Sequence, residues 1–207
     1  MSTEIEFKWE ANRPRAFYKM QRAVFSSGVH VLPVQNLKIT DTYLDTPMCD
    51  FETQKIAFRV RCVNQNWEAT FKTRTEIVHG KAVRREETLK IPGVKNLTQA
   101  LEFLRRKKMW KDLCVENLQP LFVLKNQRQI QEIAWQKMQA ELAFDTCEIL
   151  VHGRRVYFKE IELELKKGAA MEFEKLAAQL TRASGLRQAR ISKVKTALSL
   201  LNLWSEK

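Results

Sequence analysis

The sequence predicts an α+β protein in which about eight antiparallel strands form a closed β-barrel with a charged interior and peripheral α-helices. Residues 4–8 and 160–164 alternate charged and apolar side chains, and successive side chains of a strand point to opposite faces. Several segments between them alternate basic and apolar residues in the same way. Eight such strands can close into a barrel, which removes exposed sheet edges and leaves apolar outer faces to pack against helices.

Two periodicities place the individual strands and helices. Alternation with a period of two predicts strands near residues 3–10, 37–44, 55–63, 66–74, 82–91, 121–131, 133–145 and 156–166. Asn12 and Pro14 can begin a first helix that ends near Gly28. Later helices are predicted near 97–117, near 170–184 with Gly185 at the end, and in a last segment that carries Ile191, Val194, Leu198 and Leu201.

Acidic residues line individual strand faces. The acids that share a face or end an alternating run are Glu4, Glu6, Glu87, Asp145, Glu160, Glu162 and Glu164. Rows of like charge repel unless they are neutralised, and carboxylate oxygen is the ligand that Mg²⁺ and Mn²⁺ favour. A solvated sheet face is the simpler interpretation of either acidic strand alone. The recurrence of charged faces along the chain instead favours a metal site, with two of the three late glutamates as ligands.

Basic residues recur at alternate positions of the middle strands. The pairs that share a face are Arg59 with Arg61, Lys72 with Arg74, and Arg85 with Glu87. If the charged faces converge, the bases would bind an anion, and phosphate suits clusters of arginine and lysine. On this assignment Arg84 and Glu86 face outward. Asp41 and Asp45 are separately interpreted as turn residues.

A series of motifs resembles the CYTH superfamily, also called triphosphate tunnel metalloenzymes, over nearly the whole chain. They are Glu4-x-Glu6-x-Lys8, the segment 41–47 that ends in Asp45-Thr46-Pro47, Arg59-x-Arg61, Phe71-Lys72, Arg85-x-Glu87, residues 119–122 with Arg128, Asp145, the late Glu-x-Glu strand, Gly185-Leu186-Arg187 and Ser192-Lys193. A lone Glu-x-Glu-x-Lys is a weak signal because charged alternation is common. The ordered series is much more specific.

The resemblance implies one tunnel domain, residues 1–207, that hydrolyses a triphosphate with one or two Mg²⁺ or Mn²⁺ ions. Metal-activated water would attack the terminal phosphorus and release orthophosphate, with Glu4, Glu6 and Lys8 as catalytic residues. The expected substrate-binding residues are Lys8, Arg59, Arg61, Lys72, Arg74, Arg85, Arg128 and Lys193. The expected metal ligands are the seven acids named above.

Four functional readings follow from the resemblance. Inorganic tripolyphosphate is the favoured substrate, because the sequence offers no convincing pocket for adenine or thiazolium. The alternatives are a class IV adenylate cyclase, a thiamine triphosphatase, and a non-catalytic module that binds polyphosphate or RNA. The acid rows argue against the last of these, because anion binding alone does not require them.

Composition limits the compartment and partners. The 207 residues carry a formal charge of +12, and no apolar run reaches the roughly 18 residues of a membrane span. The N-terminus has no basic-then-apolar leader, so we expect a cytoplasmic protein. We also expect it to be a monomer or a homodimer. The four cysteines form no CxxC pair, which makes zinc unlikely and indicates reduced thiols. Basic residues 105–108 are interpreted as a solvated helix face, and nucleic acid as an unlikely partner, because no row of aromatic residues accompanies the bases.

Overall fold

Ten strands and five helices make up the described part of the chain. In a computed structural model of the protein, the described residues are 2–73, 76–78, 81–107, 117–151 and 153–205. The strands are β1 (Ser2–Glu10), β2 (His30–Val31), β3 (Gln35–Asp45), β4 (Ala57–Val63), β5 (Asn66–Lys72), β6 (Glu76–Val78), β7 (Lys81–Ile91), β8 (Gln119–Trp135), β9 (Met138–Val151) and β10 (Arg154–Lys167). The helices are α1 (Ala16–Ser26), α2 (Asp50–Thr53), α3 (Leu97–Arg106), α4 (Ala170–Ser184) and α5 (Lys193–Ser205).

Eight of these strands close into an antiparallel barrel, as the sequence predicts. The ring runs β1-β10-β9-β8-β3-β4-β5-β7, and β7 returns to pair with β1. Strands β2 and β6 pair with β8 and β7 outside this ring. Because every ring strand has two neighbours, the inner and outer faces of the sheet are separated all the way round.

The outer face is apolar and is covered by helices. Trp9, Phe144 and Leu163 pack with residues of α1 and α4 such as Met20 and Phe173. A second outer core joins β4 and β5 to α2 and α3. These helices therefore pack on the apolar faces that alternate with the charged ones.

The inner face is not charged throughout, which alternation alone did not reveal. Tyr43, Phe122 and Ile149 belong to an apolar cluster that also contains Ala197, and Leu198 packs against it. Helix α5 therefore covers an apolar part of the barrel interior. The charged residues of the site occupy the remainder.

Two boundaries differ from the sequence prediction. The turn between β8 and β9 falls at Gln136 and Lys137 instead of near residue 132, because Ile133 is buried in the outer core and extends β8 by pairing. Asn12 does not cap α1, since its Oδ1 accepts a hydrogen bond from the backbone N of Lys159 at 2.6 Å. The described part of α3 ends at Arg106, and residues 108–116 of the predicted helix lie outside the described residues.

Among the residues that the structure describes, no helix combines the length and apolar character needed to cross a membrane.

Candidate active site

A cavity of about 880 Å³ lies inside the barrel. All eight ring strands and the first turns of α5 contribute side chains to its wall. The inward positions are those that alternate with the buried outer core, so the pleat of each strand decides which charges meet. Three groups of charged residues result.

The first group is the acidic cluster, defined as Asp145, Glu160 and Glu162. These side chains are buried, and each offers an oxygen within 4.8 Å of the others. Strand pairing produces this arrangement, because Asp145 of β9 lies opposite Glu160 of β10. The Nζ of Lys193 lies 2.8 Å from Asp145 Oδ2 and 2.8 Å from Glu162 Oε1, and it also pairs with Glu160. One lysine at the start of α5 thus contacts all three acids.

Arg128 and the end of β1 complete the surroundings of the acidic cluster. Arg128 donates two hydrogen bonds to Asp145, at 2.7 and 2.6 Å, and also pairs with Glu162. Lys8 pairs with Glu162, and its Nζ lies 3.2 Å from Glu6 Oε1. That buried Glu6 oxygen accepts no hydrogen bond from any described group. Arg84 Nη2 lies 3.0 Å from the same Glu6 oxygen. Four acids therefore meet four bases here, and their formal charges balance when all are ionised.

The second group lies on β3 and β4. Arg61 donates from Nε and Nη2 to the two carboxylate oxygens of Asp41, at 2.7 and 2.8 Å. Arg59 Nη1 lies 3.5 Å from the same carboxylate. Asp41 is a buried strand residue and not a turn residue, so its turn assignment is wrong. Asp45 does organise a turn, because its carboxylate accepts hydrogen bonds from the backbone N of Thr46, Phe51 and Glu52.

The third group joins β1, β5 and β7. Arg84 donates to the carboxylate of Glu4 at 2.7 and 2.9 Å. Lys72 Nζ lies 2.6 Å from Glu86 Oε2 and 3.4 Å from Glu4 Oε2. Glu4 is therefore held by two bases of the wall, away from the acidic cluster.

The assignment of faces on β7 is wrong. Arg84 and Glu86 line the cavity, whereas Arg85 is exposed and Glu87 lies opposite the outward-facing Phe71. The run Arg84-Arg85-Glu86-Glu87 carries the same charge pattern on both faces, so alternation could not distinguish them. Pairing of Glu4 with Arg84 across β1 and β7 sets the inward face.

Other predicted site residues are distributed as follows. Glu160 and Glu162 are the late glutamates that meet Asp145, whereas half-buried Glu164 pairs with Lys166 at 2.7 Å. Arg74 lies outside the described residues. Sequence reasoning also missed several charged residues of the cavity wall, among them Asp41, Glu68, Arg84, Glu86 and Glu141. Asp41 gave no clear signal, because Ile39 and Tyr43 share its face of β3 and its neighbours Thr40 and Thr42 are polar.

Burial and neighbouring charge act against each other in the acidic cluster. Burial alone would raise the pKa of Asp145 and of Glu162, but Lys193 and Arg128 bring both pKa values below the ordinary range. Burial raises the pKa of Glu160 to about 7 despite Lys193 and Lys8. Burial would lower the pKa values of Lys8 and Lys193, yet the surrounding carboxylates raise both. The lysines are therefore fully charged at neutral pH, and Glu160 is the acid that protonates most readily.

The bases of the wall respond differently. Burial, with Arg59 and Arg84 nearby, lowers the pKa of Lys72 to about 8. Burial would raise the pKa of Asp41, but Arg59 and Arg61 lower it to about 2. Arg59 and Arg61 consequently face a permanent carboxylate near neutral pH.

Comparison with known proteins gives a sequence relative and several structural ones. The inorganic triphosphatase of Haemophilus influenzae is 32% identical over 138 residues, which are 67% of this chain and 39% of that protein. The chain thus spans about two fifths of the length of that curated relative. A Hippeastrum protein studied as a candidate adenylyl cyclase, and described as having a dominant triphosphatase activity, has a TM-score of 0.70 at 18% identity and 95% coverage of both chains.

A further solved structure shows the same fold. The PH1819 protein of Pyrococcus horikoshii has a TM-score of 0.63 at 20% identity, with 95% of this chain and 98% of that chain covered. The CYTH domain family model matches residues 2–198, which include every strand of the barrel. Since that match extends from β1 into α5, the chain belongs to the CYTH domain family.

Proposed function

We propose that this protein hydrolyses a triphosphate in the barrel cavity with the help of a divalent metal ion, and that inorganic tripolyphosphate is its preferred substrate. The observation that carries the proposal is the arrangement of a closed wall of arginines and lysines around the buried acidic cluster. The triphosphatase relatives support the same reaction class.

The substrate would lie along the basic wall. Arg59, Arg61, Lys72, Arg84 and Arg128 all line the cavity and would bind the phosphoryl oxygens. Planar guanidinium groups match two phosphate oxygens at once, and Asp41 already fixes the plane of Arg61. Arg74 remains a predicted contributor, whereas the outward face of β7 removes Arg85 from this set.

The acidic cluster fits a hard divalent cation. Its donors are all oxygen, its three carboxylates each place an oxygen within 4.8 Å of the others, and Glu6 contributes a buried oxygen without a hydrogen bond. Asp145, Glu160, Glu162 and Glu6 would hold Mg²⁺ or Mn²⁺. When bound, such an ion neutralises phosphoryl oxygens and lowers the pKa of a bound water.

The chain's own residues would then position substrate and water. Lys8 and Lys193 carry full charge beside the acids, so each can donate to a phosphoryl oxygen as negative charge develops. Arg128 joins the wall to the cluster, because it contacts Asp145 and Glu162 from the cavity surface. Water would attack the terminal phosphorus directly, the bond to the bridging oxygen would break, and orthophosphate and pyrophosphate would be the products.

A second candidate is the hydrolysis of an organic triphosphate such as thiamine triphosphate. Leu37, Ile39 and Val63 form an aliphatic part of the cavity wall next to the Asp41–Arg61 pair. An organic group attached to the triphosphate could pack there. The adenylate cyclase alternative would use the same bases but would convert ATP to cyclic AMP and pyrophosphate, without orthophosphate.

One assay panel tests these functions. Purified protein is given tripolyphosphate, thiamine triphosphate or ATP with Mg²⁺ or Mn²⁺, and orthophosphate, pyrophosphate and cyclic AMP are measured. We expect orthophosphate from tripolyphosphate at the highest kcat/KM. Cyclic AMP with equimolar pyrophosphate, and no orthophosphate from tripolyphosphate, would overturn the proposal.

A further inference from the structure

The outer surface of the barrel carries a basic sheet face, built by residues of three strands, that the cavity does not use. It comprises Lys38 of β3, Lys125 of β8, and Arg155, Tyr157 and Lys159 of β10. All five side chains are exposed. They alternate along their strands with inward residues, so the barrel wall separates them from the cavity.

Strand register places these residues in two adjacent rows. Lys38 and Lys159 are the ends of a row that crosses β3, β8, β9 and β10 through Gln127 and Thr146. The next row runs Thr40, Lys125, Glu148, Tyr157. Neighbouring strands are about 4.8 Å apart, so each row is about 14 Å wide.

A groove of about 670 Å³ continues the basic sheet face toward α1. Arg13, Arg15 and Tyr18 line it together with Tyr157 and Lys159. The two tyrosine rings are 56% and 65% exposed, so their faces are accessible to a ligand. The fold therefore brings two aromatic rings beside basic residues that are distant in sequence.

The charge of this surface is strongly unbalanced. Its six bases are Arg13, Arg15, Lys38, Lys125, Arg155 and Lys159. Glu148 is the acid in the two rows, and its carboxylate lies 3.3 Å from Arg155. Acids and bases nearly balance in the cavity, so the formal +12 of the chain arises mainly outside it.

We propose that the basic sheet face and its groove bind single-stranded nucleic acid. The bases would contact backbone phosphates, and Tyr157 and Tyr18 would stack on nucleobases, which is how sequence-tolerant single-strand binders combine charge with aromatic rings. This binding goes beyond the proposed hydrolysis and does not depend on it.

Fluorescence anisotropy with a labelled oligouridine that has a 5′-hydroxyl tests the proposal. The assay contains EDTA and excess tripolyphosphate, so that the cavity is not the binding site. Single-strand binding changes with a slope of about −0.7 per phosphate contact in log affinity against log salt. Six contacts therefore predict a roughly three-hundredfold loss of affinity between about 50 and 200 mM salt.

Matched variants locate the site. The triple variant Lys38→Ala/Lys125→Ala/Lys159→Ala should weaken binding at least tenfold and reduce the salt slope by about 2. The control Arg105→Ala/Arg106→Ala/Lys107→Ala removes equal charge from the end of α3 and should change affinity less than twofold. Tyr157→Ala should weaken binding roughly tenfold without changing the slope, because stacking releases no counterions.

Three results would overturn the proposal. Equal losses in both triple variants would mean that the attraction is diffuse. Binding that is seen only when tripolyphosphate is left out of the assay would place the oligonucleotide in the cavity. Binding to phosphatidylserine vesicles without binding to oligonucleotide would identify a membrane surface instead. Tripolyphosphate turnover should be unchanged in the sheet-face variant, so failure here is distinguishable from failure of the proposed hydrolysis.

Discussion

At the residue scale, every buried charge described in the cavity has a partner whose identity explains its position. Glu162 contacts Lys8, Lys193 and Arg128. Buried charges are tolerated only when they are paired and hydrogen-bonded, so the free protein holds its acids with its own bases. Substrate and metal would therefore replace contacts that already exist.

Glu162→Gln tests the acidic cluster against a matched acid on the same strand. Loss of even an indirect metal partner typically costs about 10–100-fold in metal affinity or activity, and a direct ligand should cost at least as much. We expect that loss for Glu162→Gln and less than threefold for Glu164→Gln, measured as kcat/KM across a Mn²⁺ titration. Equal effects of the two variants would contradict the placement of the metal site.

Asp41 makes a pH-dependent contribution to stability. Its folded pKa of about 2 lies below the ordinary 3.8, so the stabilisation is complete above about pH 4 and is lost as the pH falls through 2. A shift of nearly two units corresponds to about 2 kcal/mol. The free-energy difference between the wild type and Asp41→Asn, from urea unfolding in EDTA, should shrink by about that amount between pH 5 and pH 2. A difference that stays constant over this range would exclude the paired carboxylate.

At the element scale, β7 shows how one strand combines two surfaces. Its doublet of arginines and doublet of glutamates give both faces one base and one acid. Pairing with β1 and β5 decides which set faces the cavity. Helix α5 similarly has two roles, since Lys193 contacts the acidic cluster while Ala197 packs in the inner apolar cluster.

Arg84→Ala and Arg85→Ala form a matched pair on adjacent positions of β7. A charge-assisted contact is worth about 1.5–3 kcal/mol, or roughly ten- to a hundredfold in affinity. We expect the KM for tripolyphosphate to rise by that factor in Arg84→Ala and to stay within twofold in Arg85→Ala. Circular dichroism spectra should match the wild type in both, and a larger effect at Arg85 would reverse the assignment of faces.

At the scale of the whole molecule, the barrel joins an apolar exterior to a polar interior. Outer apolar faces need the helices, and the inner charges need one another, metal or substrate. Closure of β7 onto β1 brings the first and last strands of the ring into one site. Binding within the cavity should therefore stabilise the whole barrel.

Metal removal tests this coupling between site and fold. Turnover should cease in EDTA and return with Mg²⁺ or Mn²⁺, whereas Ca²⁺ should support it poorly because its coordination is looser. Tripolyphosphate with Ca²⁺, which should be turned over poorly, at one hundred times its Kd should raise the unfolding free energy by about 2.7 kcal/mol, which thermal melting detects. Full hydrolysis in excess chelator would refute a metal-dependent site.

The sequence by itself determined the closed barrel of eight strands, four of the five described helices, and the inward charges of β1, β4 and β10. It could do so because those strands alternate charged with apolar residues, and only one choice of face buries the apolar set. Local pattern also predicted the end of α4 at Gly185, whose left-handed φ of 62° favours glycine.

Only the tertiary structure decided which charges meet. The inward face of β7 depends on register with β1, because its doublets look alike from either side. The choice of Glu160 and Glu162 with Asp145 depends on register between β9 and β10. Asp41 joins the site because β3 lies next to β4, and Tyr18 lies beside Lys159 because α1 packs next to β10. Such contacts join residues far apart in the chain, and period-two patterning carries no information about which residue of a neighbouring strand lies opposite.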